Sequence, residues 1–146
     1  MNKRIITKAL FFLAIGALVG YVFWRAFPKY FARSEDPRSE AHLSKVAAEV
    51  NRSVPVMIDP ETELLGLGTG PGMLIYNYRL VRYSAAQLDA NKIAAGAKQR
   101  VTDGACNSPE TRDDLLKNGV ILRYAYFDKD KQPIAAVDVT PADCGF

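Results

Sequence analysis

Ala9 to Trp24 is a run of sixteen residues without one charged or strongly polar side chain. Lys3, Arg4 and Lys8 precede it; Arg25, Lys29 and Arg33 follow. From Ile5 to Phe27, with Lys8 and Arg25 reaching toward the headgroups, the stretch is 23 residues long. At ~1.5 Å per residue a helix of that length covers a hydrocarbon core of about 30 Å. Tyr21, Phe23, Trp24 and Phe27 crowd one end, where amphipathic rings favour the membrane–water interface. The pattern predicts one membrane-spanning helix ahead of a folded domain of about 110 residues, long enough for a single core.

That division sets the organisation: residues 1–33 as cytoplasmic tip and span, 34–39 as a short polar tether, and 40–146 as the domain. A cleaved leader would have a shorter apolar run and a small-x-small processing site. Leu18-Val19-Gly20 ahead of Tyr21 is a poor one, so an uncleaved anchor is expected. Gly16 and Gly20 form a small-xxx-small pair that would let another helix approach closely. This motif suggests integral membrane subunits as partners beside the lipid bilayer itself.

Charge argues against nucleic acid. All 16 acidic residues lie beyond the membrane segment, leaving the domain with 13 basic and 16 acidic side chains, a balance of −3. A nucleic-acid binder would concentrate positive charge on its folded part. Basic residues on the two sides of the span nearly tie, so the positive-inside rule alone does not orient it. Cys106 and Cys144 decide the matter. A disulfide between them, in an oxidising compartment, would close a 38-residue loop worth about 3–4 kcal/mol in the chain-entropy model. The expected placement is N-terminus in the cytoplasm and domain in the periplasm, at the inner membrane. Two cysteines and the single His42 do not make a metal site. No cofactor motif is present either.

Within the domain, Ser39 can cap a helix from Glu40 to Asn51, with Leu43, Val46, Ala47 and Val50 on one face. Val54–Ile58 reads as extended, and Thr62–Leu67 as a short strand. The glycines from Gly66 to Gly72 fit neither phosphate-binding pattern, so they read as a turn. Met73–Tyr83 alternates as a strand, Leu74, Tyr76, Tyr78 and Leu80 facing the helices. Ser84 and Gln87 have capping-box spacing and open a helix through Thr102 that Asp103-Gly104 ends, with Cys106 in the loop beyond. Ser108-Pro109-Glu110 starts a third helix that Asn118-Gly119 stops. Val120–Phe127 and Ile134–Thr140 form a hairpin around Asp128–Gln132. The expected fold is α+β: a small antiparallel sheet with helices packed on one face.

Four stretches, VPVMIDPET (Val54–Thr62), GPGMLIYNYRLV (Gly70–Val81), CNSPETRDDLLKNGVILRYAYFDKD (Cys106–Asp130) and VTPADCG (Val139–Gly145), cover about half of the domain. In them the chain resembles a group of small uncharacterised bacterial periplasmic and inner-membrane proteins with a C-terminal cysteine pair. The resemblance implies a periplasmic setting and no chemistry.

Three functions are weighed. The first is a non-catalytic interaction module, an accessory or assembly subunit of an inner-membrane complex. Its contact surface would be the outer sheet face, where the strand phases put Asn77, Arg79, Arg123 and Asp138. The second is a secreted soluble periplasmic domain of binding or inhibitor type, its leader removed. The third is a small periplasmic enzyme, for which His42 or the acidic group Asp59, Glu61 and Glu63 would have to serve. His42 sits at a solvent-facing helix phase, and three acids beside a proline turn are usually a solvated loop. The first reading is preferred, with no catalytic residue assigned.

Overall fold

The computed structural model describes residues 35–146. The predicted span and its Gly16/Gly20 pair lie outside the described residues, among which no helix is long and apolar enough to cross a membrane.

Helix α1 (Glu40–Asn51) starts where its sequence says it should. The Ser39 hydroxyl accepts the His42 N–H at 3.2 Å, and Glu40 stands in the first turn, where the helix dipole favours a negative charge. Its apolar face buries Leu43 and Ala47 against the sheet. Five strands follow in spatial order β1-β2-β3-β4-β5: β1 (Val56–Met57), β2 (Thr62–Gly70), β3 (Met73–Leu80), β4 (Ile121–Phe127) and β5 (Pro133–Val139). Between β3 and β4 come α2 (Ala90–Asn107) and the short α3 (Pro109–Asp114).

The sheet is mixed, a correction to the antiparallel expectation. β3 and β4 pair in parallel, Met73 beside Ile121 through Arg79 beside Phe127. Parallel neighbours need a long crossover. The two helices between these strands supply one, returning the chain to the end of the sheet where β3 began. The other strand pairs are antiparallel.

Further expectations are corrected. The glycine-rich stretch is mostly strand: Gly66, Gly68 and Gly70 pair with Asn77, Ile75 and Met73, and only Pro71-Gly72 turns. Gly72 has φ +63°, as the third position of a proline-led tight turn requires. Ser84 and Gln87 do meet, Ser84 N–H donating to Gln87 Oε1 at 2.9 Å, but they close a single 3₁₀ turn. Leu88 is extended, and Asp89 caps α2 by accepting the N–H groups of Asn91 and Lys92. At its far end α2 runs past Asp103-Gly104 to Asn107. A mid-helix glycine costs about 1 kcal/mol, yet Ala105 beyond it is buried on the core side. Pro109 then forces the break. Cys106 therefore sits in the last turn of α2 and not in a loop.

The core lies between the helices and one sheet face. Leu43, Leu74, Leu116, Leu122, Val120 and Val139 are its most completely buried members. α1 packs over β2 and β3, and α2 over β5. Leu115 and Leu116 anchor the segment after α3, and Gly119, at φ +83°, ends it as the Asn-Gly pair predicts.

Candidate functional site

Strand alternation gives the sheet two faces. The helices cover the face bearing Leu74, Leu122, Val137 and Val139. The other face carries Gly66, Gly68 and Gly70 from β2, Ile75, Asn77 and Arg79 from β3, Arg123, Ala125 and Phe127 from β4, and Ala136 and Asp138 from β5.

All four sequence-predicted surface residues stand on this uncovered face, but two ion pairs divide them. Arg123 and Asp138 face each other across β4 and β5 in a two-pronged contact, Nε to Oδ1 at 2.7 Å and Nη2 to Oδ2 at 2.8 Å. The guanidinium holds the Asp138 carboxyl below its usual range. Arg79 Nη2 lies 2.6 Å from Glu63 Oε2 on β2. That approach is ionic and not aligned as a hydrogen bond, and Arg79 Nε finds no partner among the described residues. Asn77 remains, its amide donating to the Gly66 carbonyl at 3.3 Å.

Asn77 also borders a concavity of about 610 Å³, walled by Val54 and Leu65 on one side and Phe127 on the other, with Gly66 between and Lys131 at the lip. Gly66 belongs to its lining. A Cβ there would come within 3.0 Å of Asn51 Oδ1, and φ is +154°, so only glycine suits the position. The Asn51 side chain meanwhile accepts the Leu67 N–H at 2.7 Å and donates to the Leu67 carbonyl at 2.9 Å, satisfying the β2 edge where β1 has ended. Asn51, Gly66, Phe127 and Lys131 escaped the sequence reading. The outward phase of Arg123 and Ala125 also selects Phe127, and was the signal available.

The helix-bearing face holds a second feature. Tyr76 stacks on Tyr124 with centroids 5.0 Å apart, and Tyr78 on Tyr126 at 5.6 Å. The parallel register of β3 and β4 places each pair side by side. Burial raises all four phenols above their ordinary values, so they stay protonated and act as hydroxyl-tipped apolar surface. A smaller cleft of about 200 Å³ opens beside Tyr126, under Ile93, Ala97 and Arg100 of α2.

No family model matches the sequence, and no curated protein matches it. Its fold has relatives among solved structures. A Pseudomonas aeruginosa protein described as secreted aligns with a TM-score of 0.62 and 24% identity, over 77% of this chain and 98% of its own. EpsS, the pilotin of the Vibrio vulnificus type 2 secretion system, aligns with a TM-score of 0.56 and 14% identity, over 73% and 92%. AspS, the type II secretion system pilotin of Vibrio cholerae, gives 0.55 and 17%, over 72% and 91%. Likeness at these identities is likeness of fold.

The residues weighed for chemistry are separately employed. Asp59 Oδ1 accepts the N–H groups of Glu61 and Thr62, closing the turn into β2. Glu61 accepts the Tyr83 hydroxyl at 3.2 Å, and Glu63 faces Arg79. His42 stands in the first turn of α1. Among the described residues no group of three or more His, Cys, Asp or Glu side chains is placed to hold a metal ion. Cys106 and Cys144 are joined, Cα atoms 5.5 Å apart, tying the end of α2 to the C-terminal 3₁₀ turn (Pro141–Cys144).

Proposed function

We propose that this chain is a non-catalytic accessory subunit of a membrane complex in the bacterial envelope. Ile5–Phe27 would hold it uncleaved at the inner membrane, N-terminus in the cytoplasm and domain in the periplasm, and the uncovered sheet face would dock the partner. The observation that carries this reading is that face itself. One side of a five-stranded sheet is left without helices, and it combines a glycine-lined concavity with charged pairs. The Cys106–Cys144 bond fits an oxidising compartment. The shared fold supports the accessory role, since two of its relatives are secretion-system pilotins.

The test is affinity purification of the full chain from gently solubilised membranes, comparing wild type with Gly68→Arg and Ala136→Arg. A Cβ at Gly68 meets nothing nearer than 3.9 Å, and Ala136 is exposed, so both changes leave the core intact while placing bulk on the face. Integral subunits should co-purify with wild type and be lost from both variants. Recovery of wild type as a free monomer, or retention by both variants, would refute the proposal.

A second reading, a soluble domain released by leader cleavage, is favoured by the likeness to the secreted protein of P. aeruginosa. Intact mass of the native protein separates the two, because an N-terminus at Met1 or Asn2 excludes cleavage.

A further inference from the structure

The β4–β5 hairpin contains an uneconomical residue. Lys131 is the single non-glycine with positive φ among the described residues, at +63°. Its N–H donates to the Asp128 carbonyl, and the ladder slips register beside it, between Tyr126 and Phe127. A tight hairpin of this kind favours glycine at its left-handed position, where a side chain is strained. The loop does not need lysine for its own sake. Asp128 organises it, being almost wholly buried and accepting the N–H groups of Asp130, Gln132 and Ala85 at 2.8 Å each.

The Lys131 ammonium, moreover, makes no ion pair among the described residues. The nearby Asp130 is taken by Lys129 at 2.8 Å, and the Asp128 carboxylate is filled by backbone donors. Lys131 stands at the lip of the 610 Å³ concavity, whose walls contain no carboxylate. What surrounds it there is apolar (Val54, Leu65 and Phe127), apart from the amides of Asn51 and Asn77. Asn77 spends its Nδ2 on Gly66 and has its Oδ1 unused among the described residues.

From this geometry we infer that the concavity receives an acidic side chain of a protein partner, its carboxylate on Lys131 and a neighbouring apolar side chain against Phe127 and Val54. The inference rests on the docking role assigned above to the uncovered face and names the chemistry it selects. A protein segment suits the site better than a small molecule. Small-ligand pockets enclose most of their ligand, whereas this hollow is largely open.

The decisive variant is Lys131→Gly, which relieves the backbone while removing the charge. In the full chain it should raise the domain's melting temperature by about 2–5 °C. The probe is an acetylated heptapeptide of alternating leucine and glutamate, with its leucine–glutamine counterpart as control, titrated while backbone amide resonances are followed. The glutamate peptide should shift Gly66, Asn77, Phe127 and Lys131, and bind at least about threefold more weakly to Lys131→Gly and Lys131→Gln. Equal binding of the glutamine peptide, unchanged affinity in both variants, or shifts confined to another surface would each overturn the inference. Co-purification keeps the two claims apart. Partners lost from Gly68→Arg but kept by Lys131→Gly would leave the docking face standing and refute the carboxylate assignment alone. Partners kept by both would refute both.

Discussion

On its helix-bearing side the sheet presents Leu74, Leu122, Val137 and Val139, all less than a tenth exposed, with four stacked tyrosines between them. On the opposite side it presents three glycines, two ion pairs and a hollow. The same strands make both faces, so backbone pairing cannot account for the contrast. The difference lies in what each side chain gives up on folding. A buried leucine leaves water altogether and gains some 1.5–3 kcal/mol by doing so. Arg123 on the uncovered side keeps 41% of its side chain exposed, and an ion pair so open to water is worth little. The first face sets stability, and the second is at liberty to be used for something else.

The largest expected effect tests the stability side. Leu122→Ala removes a fully buried side chain from the centre of the sheet and should cost about 3–5 kcal/mol. Ala136→Arg on the uncovered side should stay within about 0.5 kcal/mol of wild type. Urea unfolding of the two proteins gives both numbers. Similar losses would erase the contrast.

Next in size is the covalent tie. Replacing Cys106 and Cys144 together with serine should lower stability by about 3–4 kcal/mol, the value for a loop of 38 residues. The same urea midpoints should result when wild type is unfolded under reducing conditions. Agreement between the two would assign the loss to the crosslink and not to the serines.

Acid should act on the same corner of the domain. The Asp143 carboxyl accepts the Thr140 N–H and hydroxyl and faces the Lys98 ammonium at 2.9 Å, contacts that hold its pKa down to about 2. In the unfolded chain it titrates near 4. Because the folded value is the lower one, the stabilisation is complete above about pH 4 and is lost as pH falls toward 2. Asp143→Asn should flatten the dependence of melting temperature on pH within that window. At neutral pH it should lower the melting temperature slightly, and an unchanged acid slope would contradict the assignment.

Local rules made most of the fold legible in advance. Ser39, Pro109 and Gly119 mark helix limits through backbone chemistry that acts within a turn, and the alternation in Met73–Tyr83 specified which face meets the helices. Two local rules misplaced the limits of α2, at Ser84–Gln87 and at Asp103-Gly104; the larger failures were non-local. Whether β4 joins β3 parallel or antiparallel depends on how a crossover of two helices returns the chain, which no neighbouring residue specifies. The glycines at 66, 68 and 70 look like a turn because glycine is silent about strand pairing until Asn77, Ile75 and Met73 are placed opposite. The hollow was invisible for the same reason. Its parts, Val54, Gly66, Phe127 and Lys131, come from three separate segments that meet only in the folded sheet. Asn77, Arg79, Arg123 and Asp138 could be assigned to one face by phase alone, but not which of them would be consumed by ion pairs.

The smallest predicted effect is also the sharpest probe of the uncovered face. Arg123 and Asp138 have good two-pronged geometry, which invites the view that they clamp β4 to β5. Their side chains remain 41% and 37% exposed, however, so water competes for both ions and salt screens them. A double-mutant cycle of Arg123→Ala and Asp138→Ala should give a coupling energy below about 1 kcal/mol, falling further at high salt. A coupling of 2 kcal/mol or more would mean that the pair is desolvated, as it would be beneath a bound partner. Measuring the cycle in the isolated chain and again in the purified complex turns that possibility into a test of docking. The coupling should stay small in the first and grow in the second only if the partner covers β4 and β5.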